Sequence, residues 1–137
     1  MEKPKITIQP IEQAPNLQLL KEKFGANEKY SIIAYGDKIY CPAEGMSQDL
    51  LVHEMTHCER QGMREDSAER WWKMYIRDEN FRLKEEVIAY QAQFNFCKKV
   101  YKDRNRLDKI RRALAQELSS ELYGNIISNS EAMELIK

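Results

Sequence analysis

The chain has 137 residues, 42% of them hydrophobic, and its 22 Lys+Arg are balanced by 22 Asp+Glu. That length suits a single domain over residues 1–137, while 5 Gly, 4 Pro and 3 Cys exclude collagen-like, low-complexity and disulfide-scaffold classes. Charge balance also excludes the global basic excess of a dedicated nucleic-acid binder.

The start, Met1-Glu2-Lys3-Pro4-Lys5-Ile6-Thr7-Ile8, has no charged opening followed by an apolar run, so no signal peptide is expected. No stretch approaches the roughly 18 apolar residues that span a bilayer. Cys41, Cys58 and Cys97 form no Cys-x-x-Cys pair and read as reduced, partly buried thiols of a cytoplasmic protein. Ile6 and Ile8 alternate with Lys5 and Thr7, predicting a short strand. Pro10 and Pro15 bracket a turn, after which Asn16 can cap a helix bearing Leu17, Leu20 and Phe24, closed by Gly25. Tyr30 to Tyr35 and Lys38 to Cys41 are β-prone runs joined by Gly36-Asp37, the signature of a tight hairpin.

From Ser47 the pattern turns helical, with Ser47 as N-cap and Gly62 as terminator. Asp66 to Glu69 has capping-box spacing and predicts a second helix carrying Trp71, Trp72, Tyr75 and Ile76. A third helix is expected from about residue 81 past Tyr101, then a charged helical stretch with Ile110, Leu114 and Leu118. Tyr123-Gly124-Asn125 breaks the pattern, and Ser128 to Glu131 forms another capping box before Ala132 to Ile136. The fold class is therefore α+β, with short strands and a hairpin first and helices after.

Leu51 to His57 contains His-Glu-x-x-His, and His53 and His57 are the chain's 2 histidines. Residues four apart on a helix lie about 40° from one another around the axis, so both imidazoles can grip one ion. Glu54 flanks them on the same face without taking a ligand position, the place for a general base acting on water. Chance placement of two histidines and a glutamate in this pattern arises in roughly 0.2% of such chains, low enough to treat the motif as a signal.

No histidine remains for a third ligand, which excludes metzincins and directs the search to Asp, Glu or Cys. Lys84, Gln91, Asn95, Lys98 and Lys102 mark the solvent face of the third helix. Glu86 points about 150° from that face and Glu85 about 110°, on a helix of about 100° per residue. A buried carboxylate requires a cation or a partner. Glu86 is the preferred ligand, with Glu85 as second choice and a buried Glu paired to Arg or Tyr as the structural alternative. Cys58 points away from the histidine face.

His53-Glu54-x-x-His57 followed by Glu86-x-x-Ala89-Tyr90 resembles the gluzincin zinc metallopeptidases, whose third ligand is a Glu on a later helix. The compact size and the ending Leu118-Ser119-Ser120 to Tyr123-Gly124-Asn125 resemble small gluzincin-like domains encoded by phages and prophages, over roughly Tyr30 to the C-terminus. The resemblance implies a minimal zincin-like domain holding Zn²⁺ through His53, His57 and Glu86, with Glu54 catalytic and a peptide or protein as substrate. It implies a substrate-pairing strand, Lys38 to Cys41 or its partner Ser31 to Tyr35. It also implies an oxyanion-stabilising His or Tyr. With no third histidine, Tyr123 and Tyr90 are the candidates, an ordinary core or capping role being the alternative for each.

A second reading is a phage-type structural or assembly protein in which zinc is mainly structural, with a viral or self-assembly partner and a place in host cytoplasm or virion. Lys98 to Arg112 carries a local net charge of +6, but a solvated helix face explains it and a nucleic-acid partner is not expected. Adjacent Trp71 and Trp72 cannot face the same way, so one packs the core and the other lines a cleft or interface.

Overall fold

The computed structural model describes residues 5–137; the leader reading rests partly on residues 1–4, which lie outside the described residues. Strands β1 (Thr7–Pro10), β2 (Ile33–Tyr35) and β3 (Lys38–Cys41) form one sheet. The helices are α1 (Leu17–Phe24), α2 (Gln48–Arg60), α3 (Glu65–Arg77), α4 (Glu79–Val100), α5 (Arg104–Leu118) and α6 (Asn129–Leu135), with a 3-10 turn at Glu121–Tyr123. The fold is α+β, as expected. Among the described residues no helix is long and apolar enough to cross a membrane.

The strand order is β1-β3-β2, with β1 parallel and β2 antiparallel to β3. Alternation sorts the hairpin's side chains onto two faces. The cross-strand pair Ala34 and Ile39 faces Cys58 of α2, and the pair Ile33 and Tyr40 faces Ile11, Leu17 and Leu20. Gly36 in the hairpin turn has φ +66°, and a Cβ there would sit 2.9 Å from the Arg64 carbonyl carbon. Both the turn and the approach of α3 require glycine at this position.

α4 is the central helix, bordered by α2, α3 and α5. Its outer face carries exposed Lys84, Asn95 and Lys98, as the pattern predicts. Its inner faces bury Arg82, Glu85, Glu86 and Gln93 beside Ala89, Tyr90 and Phe94. Tyr90, Phe94 and Cys97 join Leu114, Leu118, Ala132 and Ile136 in the largest apolar cluster, between α4, α5 and α6.

Three boundaries differ from expectation. Asp66 to Glu69 is not a capping box, because α3 starts at Glu65 and Asp66 already lies in its first turn. There Asp66 accepts hydrogen bonds from the Ser67 amide and the Arg64 side chain. α4 begins earlier, at Glu79, because the Asp78 side chain caps it by accepting from the Asn80 and Phe81 amides, and it ends at Val100, before Tyr101. Tyr30 to Ile32 lies outside strand β2, whereas the Ser128–Glu131 box caps α6 reciprocally, as expected.

Candidate metal centre

α2 and α4 form the most extensive helix pair, and the site lies between them. His53 and His57 stand one turn apart on α2, and Glu86 meets them from α4. All three are at least 95% buried. The His53 Nε2 to Glu86 Oε1 distance is 3.1 Å, His57 Nε2 to Glu86 Oε2 is 3.2 Å, and the two Nε2 atoms are 3.1 Å apart. A tetrahedral zinc ion with bonds of about 2.0–2.1 Å separates its ligand atoms by about 3.3–3.4 Å. The observed triangle is within a few tenths of an ångström of that size.

Tautomer chemistry supports the fit. Gln93 Nε2 donates to Asp49 Oδ2 at 2.8 Å, which turns Gln93 Oε1 toward His53 Nδ1 at 3.0 Å. An amide oxygen accepts only, so His53 Nδ1 carries a proton and Nε2 is the ring atom available as a metal ligand. A cation bound among the three atoms would offset the close approach of the two imidazoles and the carboxylate. Tyr75 Oη donates to Glu86 Oε2 at 2.7 Å and fixes the carboxylate's plane. His57 differs, since its buried Nδ1 has no partner among the described residues; its ring packs edge-on against Trp71.

The neighbouring acids divide cleanly. Burial raises the Glu86 carboxyl, but the His57 and His53 rings outweigh it and hold it well below the usual carboxylate range. Glu85 instead takes the Arg60 guanidinium at 2.9 Å and Trp71 Nε1 at 2.7 Å. Its acceptor capacity is used there, so the Arg-paired form of the structural alternative describes Glu85, while Glu86 has the Tyr pairing, to Tyr75, in addition to the two histidines. Cys58 turns away to the sheet and lies 3.7 Å from the Lys38 carbonyl, with burial pushing its thiol up to about 12. The group of potential ligand atoms among the described residues is therefore His53, His57 and Glu86.

Glu54 faces the cavity that opens beside these ligands, a space of about 380 Å³. Among the described residues no hydrogen bond to its side chain offsets burial, which pushes its carboxyl up to about 8, with His53 opposing the shift and Glu86 adding to it. Tyr90 and Tyr123 line the same cavity, their hydroxyls 2.6 Å apart. Tyr90 Oη donates to Glu117 Oε2 at 3.1 Å, so Tyr123 Oη donates to Tyr90. Both phenols are raised well above their ordinary range by burial first and Glu86 second.

The sheet changes one expectation. β3, Lys38 to Cys41, is central and offers no free edge for a substrate, so that candidate is withdrawn. β2 is an edge, but its Ala34 carbonyl already accepts from Trp72 Nε1 and Gln61 Nε2, each at 3.0 Å. The stretch that reaches the cavity is Tyr30 to Ile33. The tryptophans face different partners as expected, Trp71 buried against Glu85 and Trp72 lining the cavity.

Sequence reading overlooked Asp49, Tyr75, Gln93 and Glu117. Asp49 precedes His53 by one turn and Gln93 follows Glu86 by two, so both sit on the ligand faces of their helices. A polar residue on a buried stripe was the available signal for Gln93. No protein-family model matches the chain, and comparison with curated proteins and with solved structures gives no match.

Proposed function

We propose that this chain is a gluzincin-like zinc metallopeptidase that hydrolyses peptide bonds. The observation that carries the reading is a buried His-His-Glu triangle of zinc dimensions beside a cavity that also holds an unpaired glutamate. Two histidines and a glutamate are a donor set of catalytic zinc, whereas structural zinc is closed by four protein ligands. Three ligands with a cavity on the fourth side favour catalysis over a purely structural ion. His53, His57 and Glu86 would hold the zinc ion, which when bound would supply Lewis acidity for water and for the scissile carbonyl.

The chain's own groups do the rest. Glu54 accepts the proton from the attacking water and passes it to the leaving amine, which requires a carboxyl free of other partners. A pKa near 8 before metal binding makes Glu54 a ready proton donor, and positive charge in the ligand cluster favours its carboxylate form. Gln93 and Tyr75 hold the ligand side chains in orientation. Tyr123 can turn its hydroxyl proton from Tyr90 to a developing oxyanion, giving up one neutral hydrogen bond worth about 1 kcal/mol. Tyr90 stays committed to Glu117 and supports Tyr123.

Glu54→Gln tests the reading. Zinc-loaded wild type is expected to cleave casein or other unfolded protein, and the variant to keep stoichiometric zinc by elemental analysis while losing at least about a hundredfold in rate. Full activity in Glu54→Gln, or no bound zinc in the wild type, would overturn it.

A further inference from the structure

The cavity carries three carboxyl side chains and, beside the two histidines, no Lys or Arg among the described residues. The three are Glu54, Glu86 and Glu117, in a chain that is charge-balanced overall. Glu86 is engaged by the two histidines, and Glu54 stands beside them as the base. Glu117, projecting from α5, has neither task. Its Oε2 accepts from Tyr90 Oη at 3.1 Å, which sets the carboxylate's orientation, and its Oε1 is left without a partner among the described residues. The side chain is exposed at the cavity wall.

Beyond the ligand cluster and Glu54, Glu117 is the charged side chain that lines the cavity among the described residues; Arg82 lies buried behind the wall, donating to the Tyr75 and Tyr123 carbonyls. Fields of one sign are focused inside a cleft with apolar walls. Of the aromatic rings in the walls, Tyr30 and Phe24 already carry Lys29 and Arg82 over their faces, at 5.3 and 5.0 Å, whereas no such cation lies over Trp72 among the described residues. Among the described lining residues a substrate's carboxylate finds no guanidinium to receive it and meets the Glu117 carboxylate instead.

We propose that the cavity selects a cationic group of the substrate, a Lys or Arg side chain or a free N-terminal ammonium, through Glu117. The inference rests on the peptidase reading and names its substrate class. Because Glu117 is exposed, the pair contributes at the upper end of surface ion pairs, about fivefold in discrimination.

The test uses octapeptides of Ala, Leu and Phe with a blocked N-terminus and one Lys, Gln or Glu at each position, plus a set with a free N-terminus. Cleavage by zinc-loaded wild type, Glu117→Gln and Glu117→Lys is followed by mass spectrometry. Binding of the same labelled peptides to zinc-loaded Glu54→Gln, with and without the Glu117 changes, is followed by fluorescence anisotropy. Lys or free-amine peptides are expected to lead, Gln peptides to follow and Glu peptides to trail. Glu117→Gln should reduce the preference for Lys over Gln about fivefold, and Glu117→Lys should turn it toward Glu, with zinc content unchanged. Preference confined to free N-termini assigns the ammonium, and preference for Lys in blocked peptides assigns the side chain. Equal or better use of Glu peptides by the wild type, or a preference that survives Glu117→Lys, would overturn the proposal. No cleavage by the wild type, with the charge preference intact in binding, would overturn the peptidase reading and leave this selectivity standing.

Discussion

The cavity has two unlike walls. One is formed by α2 and α4, helices of 13 and 22 residues packed face to face, and it carries every candidate ligand. The other is assembled from short pieces: α1 with 8 residues, the stretch Tyr30 to Ile33, and the 3-10 turn bearing Leu122 and Tyr123. The long wall buries its polar groups and, among the described residues, leaves the Glu54 side chain and His57 Nδ1 unpaired, whereas Tyr30 at 72% and Leu122 at 45% exposure stand at the mouth of the short wall. A metal triangle tolerates little positional error, so it belongs on elements whose geometry is over-determined by packing. Recognition of a substrate tolerates and uses the looser wall.

Within the long wall, consecutive acids on one helix do different work, and that contrast has the largest measurable consequence. Glu86→Ala should reduce zinc affinity by at least about a hundredfold in chelator competition, since a ligand is lost outright rather than reoriented. Glu85→Ala should keep the metal and instead lower stability by about 1–2 kcal/mol, because Trp71 Nε1 loses its buried acceptor while Arg60 returns to water. The reverse ranking in the same pair of titrations would exchange the two roles.

A smaller effect separates the supports from the rim. Gln93→Ala frees the His53 ring and should weaken zinc binding about tenfold, whereas Leu122→Ala, on the opposite wall, should leave the titration curve unmoved. A shift of similar size in Leu122→Ala would show that the two walls are mechanically one. The smallest effect concerns Asp49. Burial raises its carboxyl, but hydrogen bonds from Ser47, Gln93 and the first amides of α2 outweigh it and hold it below its ordinary 3.8. A folded pKa below the unfolded one means the contribution is complete above 3.8 and is lost as pH falls through the lowered value. Thermal melts of metal-free protein from about pH 5 downward should therefore show a shallower acid loss for Asp49→Asn than for wild type. An unchanged slope would remove Asp49 from the support chain.

The helical half of the fold and the core of the site are legible in the residues, because both depend on local periodicity. A spacing of four puts His53 and His57 on one face wherever a helix forms, and the polar face of α4 marks its opposite side as buried. Capping is legible only where the motif is complete: Ser128 with Glu131 satisfies both amides, whereas Asp66 to Glu69 has the same letters inside a helix that has already begun. The hairpin is equally local, since Gly36-Asp37 specifies the turn whatever surrounds it.

Strand order and partner choice are not local. Whether Lys38 to Cys41 is an edge depends on where β1 arrives from across the sequence, and it arrives on the side away from β2. Helical angle ranks Glu86 above Glu85, yet it cannot show that Arg60 and Trp71 take the one while two imidazoles and Tyr75 take the other. Nor can it bring Glu117 of α5 to a cavity whose chemistry lies on α2 and α4. Periodicity along one chain dictates which face of an element is buried. The contents of that buried space come from other elements, and only their packing settles which polar groups meet and which acid is left for a ligand.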